Sequence, residues 1–239
     1  MTGPEPGAAL PRRLRRSRLY EQVAEQITDW VTASRMGPGD RLPPERELAE
    51  RLGVSRATLS QALVALEVVG VVEVRHGDGT VVARAPGGRV TESVRAHADR
   101  LPDVLDARDA LETKTAALAA ARRTDEDLAE IDAALADMAA DVADGGRGVA
   151  ADERFHAAVT AAAHSPLLAR FMTEIAGLVA ETRLESLGQP GRPAMSLQGH
   201  RAVAEAIRAG DAAAAASAMH AHVAKVGDVA LLRHPDEPA

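Results

Sequence analysis

The stretch from Gly39 to Val82 constrains the fold more than any other part of this chain. Leu48, Ala49 and Leu52 recur at i, i+1, i+4, which predicts a short helix with one apolar face, ended by Gly53. Ser55 is placed to cap a second helix with its hydroxyl. In that helix Leu59, Ala62, Leu63 and Leu66 make a buried stripe, Ala57, Thr58, Ser60 and Gln61 turn outward, and Arg56 lies on the border. After Gly70, the β-branched runs Val71–Val74 and Thr80–Val82 flank Arg75-His76-Gly77-Asp78-Gly79, a hairpin with a glycine-tolerant turn. Two helices at a tight turn could be ordinary packing. With a β wing attached they predict a winged helix-turn-helix, its second helix presenting its first turn to base edges in a major groove.

Composition narrows the rest. The 239 residues include no cysteine, which excludes disulfides, thiolate metal sites and cysteine nucleophiles. No apolar run reaches membrane-spanning length and no signal-peptide core is present, so the chain is expected to be cytoplasmic, with no membrane partner. Abundant alanine and leucine favour helix. Charge is uneven: residues 1–89 balance at +2 and residues 90–239 at −9, giving the net −7. The basic run Arg12-Arg13-Leu14-Arg15-Arg16 reads either as a solubilising tail or as an arm lying along the DNA backbone.

We divide the chain into a disordered basic arm (1–16), a winged helix-turn-helix (17–84), a linker (85–90), an all-α effector-binding and dimerisation domain (91–232) and a tail (233–239). A helix from Arg18 to Ser34 opens the first domain, with Leu19, Val23, Ile27, Trp30 and Val31 on one face. In the second, helices are expected near 91–98, 101–121, 125–144, 148–163, 166–187, 194–209 and 211–232, separated at Leu101-Pro102, Asp144-Gly145-Gly146, Ser165-Pro166, Gly188–Pro193 and Gly210-Asp211. Ser165 is expected to cap a helix that begins with Pro166. The fold class is thus mainly α: a winged helix with a small β wing, then an antiparallel helical bundle.

Gly39-Asp40-Arg41-Leu42-Pro43-Pro44-Glu45-Arg46-Glu47-Leu48-Ala49, Val54-Ser55-Arg56, Gly70-Val71-Val72 and Gly77-Asp78-Gly79-Thr80 resemble the winged helix of GntR-type bacterial regulators. Leu105-Asp106-Ala107-Arg108, Leu111-Glu112, Asp152-Glu153-Arg154-Phe155-His156, His200 and His222 resemble the helical ligand-sensing domain of the FadR branch. The resemblance implies DNA contacts from Arg41, Arg46 and Arg56, phosphate contacts from Ser55 and Thr58, and wing-tip contacts from His76 and Gly77. Ser60 occupies the position of a base-reading arginine in that family, so the operator should depart from the family's usual one.

Asp152 and His156 are one helical turn apart, on a face shared with Val149, Val159 and Ala163. His200 and His222 lie among apolar residues of two later helices. Spacing alone leaves each histidine open to an ordinary core role. The resemblance implies that the four ligate a divalent metal, Zn²⁺, Mn²⁺, Ni²⁺ or Fe²⁺, and selects His222 over His220. It also implies that Arg108 clamps a small carboxylate effector beside the metal. Arg183 is a second candidate for that effector, read apart from the resemblance. The function expected is that of a homodimeric, ligand-responsive transcriptional regulator, read as a repressor, binding an inverted repeat of double-stranded DNA. A metal sensor is the second reading. A metal-dependent hydrolase fused to a DNA-binding head is the third, disfavoured because no general base or nucleophile motif accompanies the cluster. A non-specific architectural DNA binder is the bland alternative.

Overall fold

The computed structural model describes residues 19–75, 79–84, 86 and 90–227. The expected basic arm, the wing-tip residues His76 and Gly77, most of the linker, the end of the last helix and the tail lie outside the described residues.

The head comprises α1 (Leu19–Ala33), α2 (Glu45–Leu52), α3 (Arg56–Val68), β1 (Val72–Arg75) and β2 (Gly79–Val82). Gly53 ends α2 in the left-handed region (φ 65°), where a Cβ would be strained. Ser55 caps α3, its side chain accepting from the Thr58 amide at 3.1 Å. The two strands pair antiparallel with Val72 opposite Val82 and Arg75 opposite Gly79. Residues 40–42 extend this sheet through Leu42 N–H to Thr80 O (2.9 Å) and Val82 N–H to Asp40 O (2.8 Å). Behind the hairpin, Ile27, Val31, Leu48, Leu59, Leu63, Leu66, Val71 and Val82 form the core. The apolar stripe expected on the second helix is buried as its spacing requires.

The second part contains α4 (Val90–Arg122), α5 (Asp125–Ala143), α6 (Val149–Ala162), α7 (Pro166–Leu187), α8 (Arg192–Ala209) and α9 (Ala212–Gly227). One expectation fails here. The break foreseen at Leu101-Pro102 is absent, and α4 runs through Pro102 as one helix of 33 residues. Proline there removes one backbone donor, but the buried Leu101 and Val104 on either side hold the helix against its neighbours. Ser165 occupies the N-cap of α7 without making the side-chain cap bond expected of it; Pro166 follows at the first position. A capping box does start α5, where Thr124 and Asp127 exchange bonds with each other's backbone amides.

The core of the head reaches into the bundle. Val90, Val94 and Leu101 of α4 and Val226 of α9 join the cluster built on α1 and α3.

Candidate metal centre

Asp152 and His156 project from α6, His200 from α8 and His222 from α9, and all four side chains are buried. One ligand atom from each falls within 4.8 Å of the others. The Nε2 atom of His200 is 3.2 Å from Nε2 of both His156 and His222. Asp152 Oδ1 is 3.4 Å from His200 Nε2, and Oδ2 is 3.8 Å from His156 Nε2. Imidazoles whose Nε2 lone pairs converge on one spot repel unless a proton or a metal ion lies between them. Ligands at about 2.0–2.1 Å around a tetrahedral ion are separated by roughly 3.3 Å, close to the spacing of these nitrogens. Burial, reinforced by the neighbouring imidazoles, holds the pKa values of His200 and His222 well below the usual histidine range. Both rings are therefore neutral at pH 7 and keep a lone pair for a metal. The donor set fits a divalent transition ion, which would supply a Lewis-acidic contact for an anionic ligand.

The surroundings orient these donors. Ser196 Oγ donates to Asp152 Oδ1 at 3.2 Å, and His200 stacks on Phe155 with ring centroids 4.2 Å apart. Gly199 has a packing role that spacing alone did not suggest: a Cβ there would lie 2.7 Å from His222 Nδ1. Glu112, which the sequence shows as part of the Leu111-Glu112 motif, joins this site. Its Oε2 lies 2.9 Å from His156 Nδ1, an ion-pair distance whose geometry misses an aligned hydrogen bond. Burial alone would raise the Glu112 carboxyl; Arg108 and His156 more than reverse this and hold it well below the ordinary carboxylate range.

Arg108 is fully buried, 0% exposed. Its Nε donates to Glu112 Oε1 at 2.8 Å and one terminal nitrogen donates to Thr182 Oγ1 at 2.9 Å. Arg183 Nε approaches Asp152 Oδ2 to 2.9 Å, again as charge pairing rather than an aligned bond. Both expected effector residues thus border the cluster. His220 points away to the exposed Asp109, and His164 ends α6 on Asp127. His97, for which the sequence carries no signal, is buried between Glu181 (2.9 Å) and Glu185 (2.7 Å) of α7. Burial would lower its pKa, but the two carboxylates outweigh this and raise it. Only the fold brings these residues together.

On the head, Arg41, Arg46 and Arg56 are exposed, Arg46 in loose contact with Glu50 at 4.0 Å. The Ser55 and Thr58 hydroxyls bond each other at 2.8 Å beside the N-terminus of α3. Ser60 is placed differently from the outward position expected of it. It is 9% exposed and faces Gly188 at the end of α7.

Comparison with known families agrees with this architecture. Residues 19–82 match the family model described as bacterial regulatory proteins, gntR family, and residues 103–225 match the FCD domain. The chain is 33% identical to the HTH-type transcriptional regulator LutR of Bacillus subtilis, over 80% of this chain and 92% of that protein. The chain belongs to the GntR family of regulators, in the group with an FCD domain. It is also 32% identical to the putative L-lactate dehydrogenase operon regulatory protein of Escherichia coli (91% and 86% of the two chains). The Uxu operon transcriptional regulator of E. coli is 38% identical over 63% of this chain and 61% of its own. Among solved structures, a Streptococcus agalactiae GntR protein aligns with 27% identity and a TM-score of 0.46, covering 87% of this chain and 98% of that one. As a GntR regulator with an FCD domain, the chain is a DNA-binding transcriptional regulator. Among the described residues no helix is long and apolar enough to cross a membrane.

Proposed function

We propose that this chain is a homodimeric repressor that reads an inverted-repeat operator and responds to a small hydroxycarboxylate held jointly by a divalent metal and Arg108. The observation that carries this reading is the burial of Arg108 beside the Asp152/His156/His200/His222 cluster. A guanidinium has five N–H donors. Among the described residues, Glu112 and Thr182 engage Arg108 through three hydrogen bonds, one of them long at 3.4 Å, so donors remain for an incoming carboxylate. A hydroxycarboxylate chelates a metal at one end and presents a second anionic oxygen to the arginine. The name of the E. coli relative, which refers to an L-lactate dehydrogenase operon, supports that ligand class.

The dimer is supported by α7, which leaves Leu167 (61%), Phe171 (47%) and Leu178 (37%) exposed along one side. Arg170 and Glu174 flank the stripe with opposite charges, an arrangement that becomes self-complementary about a two-fold axis. A two-fold dimer places two winged helices on two half-sites.

Selection of duplexes from a random pool tests the DNA part: one enriched inverted repeat, released when the effector is added, is the expected outcome. Failure to enrich any motif would leave only non-specific binding. A second reading, the metal as the signal itself, is favoured by the pairing of Arg108 with Glu112, which already compensates its charge. It predicts release of that duplex by metal alone.

A further inference from the structure

We propose that Ser60, Val64 and Glu67 form a latch that docks the recognition helix α3 on the effector domain, and that this latch must open for DNA to be read. The proposal rests on the reading of α3 as the DNA-contacting helix. The three residues are spaced i, i+4, i+7 and form one stripe of α3. Ser60 Oγ points at the Gly188 carbonyl at 3.4 Å, the long limit of a hydrogen bond. Val64 is buried against the same turn, and a Cβ on Gly188 would come within 2.5 Å of Val64 Cγ2. Glu67 accepts from Arg147, in the turn between α5 and α6, at 2.6 Å, and from the Val74 amide of the wing at 3.0 Å.

Small side chains make this docking possible. A guanidinium at position 60 would have to displace Gly188 or leave the interface, so serine in place of the family's arginine is explained by contact with the bundle. In this arrangement the latch stripe is covered by protein, while Arg56 and Ala57 at the start of α3 stay open. DNA and the bundle therefore compete for one flank of the helix. The element that covers it also borders the candidate metal site: Thr182, bonded to Arg108, and Arg183, paired with Asp152, precede Gly188 by less than two turns of α7. A ligand that redirects Arg108 or Asp152 acts on the helix that holds the latch, which couples the two sites through one rigid element.

The chain has no cysteine, so a single introduced thiol reports on the latch. Labelling of Ser60→Cys by a thiol reagent should be slower than that of the exposed Ala57→Cys by roughly tenfold or more, as for any site that reacts only on local opening. Adding Arg147→Glu, which sets a carboxylate against Glu67, should restore most of that rate. Fluorescence of Trp30, the single tryptophan, should stay unchanged and show that the head remains folded. In the otherwise unaltered chain, Arg147→Glu should tighten binding to a random-sequence duplex at low salt, opposite to the effect of an added negative charge alone. Fast labelling of Ser60→Cys without the second substitution, slow labelling that Arg147→Glu leaves unchanged, or faster labelling with no gain in duplex affinity would each overturn the latch. Failure of every form to bind duplex would instead contradict the DNA-reading assignment, because the labelling rates do not depend on DNA.

Discussion

Glu112 connects Arg108 to the histidine cluster, one oxygen on Arg108 and the other beside His156. Replacing it by glutamine leaves a buried guanidinium without its counter-charge, and the expected cost is about 3–5 kcal/mol in urea unfolding. A cost below about 1 kcal/mol would show that solvent reaches Arg108. The histidines set opposite pH dependences. His200 and His222 have folded pKa values below the unfolded value of about 6.5, so the unfolded chain binds more protons and stability falls as pH drops below that value. His97 has a raised folded pKa; its contribution is complete below about pH 6.5 and is lost as pH rises through the folded value. Chelator-treated protein should therefore lose stability from pH 8 to pH 5.5, and His97→Gln should steepen that loss. A slope unchanged by His97→Gln would place that histidine in solvent. Of these residues, the helical spacing of Asp152 and His156 was legible in the sequence. The Glu112–His156 contact and the His97–Glu185 pair were not, because they join positions 44 and 88 residues apart on different helices.

Helices were the most legible elements because their apolar stripes repeat over several turns, and the wing was legible from its β-branched runs around a glycine turn. Pro102 misled because local backbone preference was outweighed by packing on both sides of it. A proline inside a helix is about 3 kcal/mol worse than alanine in an unconstrained helix. Pro102→Ala should therefore raise the melting temperature by several degrees, and a lower one would mean that the proline ring supplies packing worth more than the missing bond. At the start of α5, Thr124→Ala removes one half of the capping box and should cost about 1 kcal/mol. Gly199 illustrates a requirement that no pattern reveals: its missing side chain is needed only because α9 places His222 against it.

Across the whole molecule, α4 and α9 of the bundle pack into the core of the head. The exposed apolar side of α7 predicts that Phe171→Glu lowers the mass seen by light scattering from dimer to monomer. An unchanged dimer would place the two-fold contact on another surface. The proposed function requires that a divalent metal and Arg108 hold the same small acid. The most direct test is thermal denaturation of metal-loaded and chelator-stripped protein against a panel of small hydroxycarboxylates. A true effector at a hundredfold excess over its Kd adds about 2.7 kcal/mol of stability. Stabilisation by one class of acids in the metal-loaded protein, lost in the stripped protein and in Arg108→Ala, is the predicted result. Stabilisation that survives both removals would place the acid elsewhere and contradict the shared metal–arginine pocket.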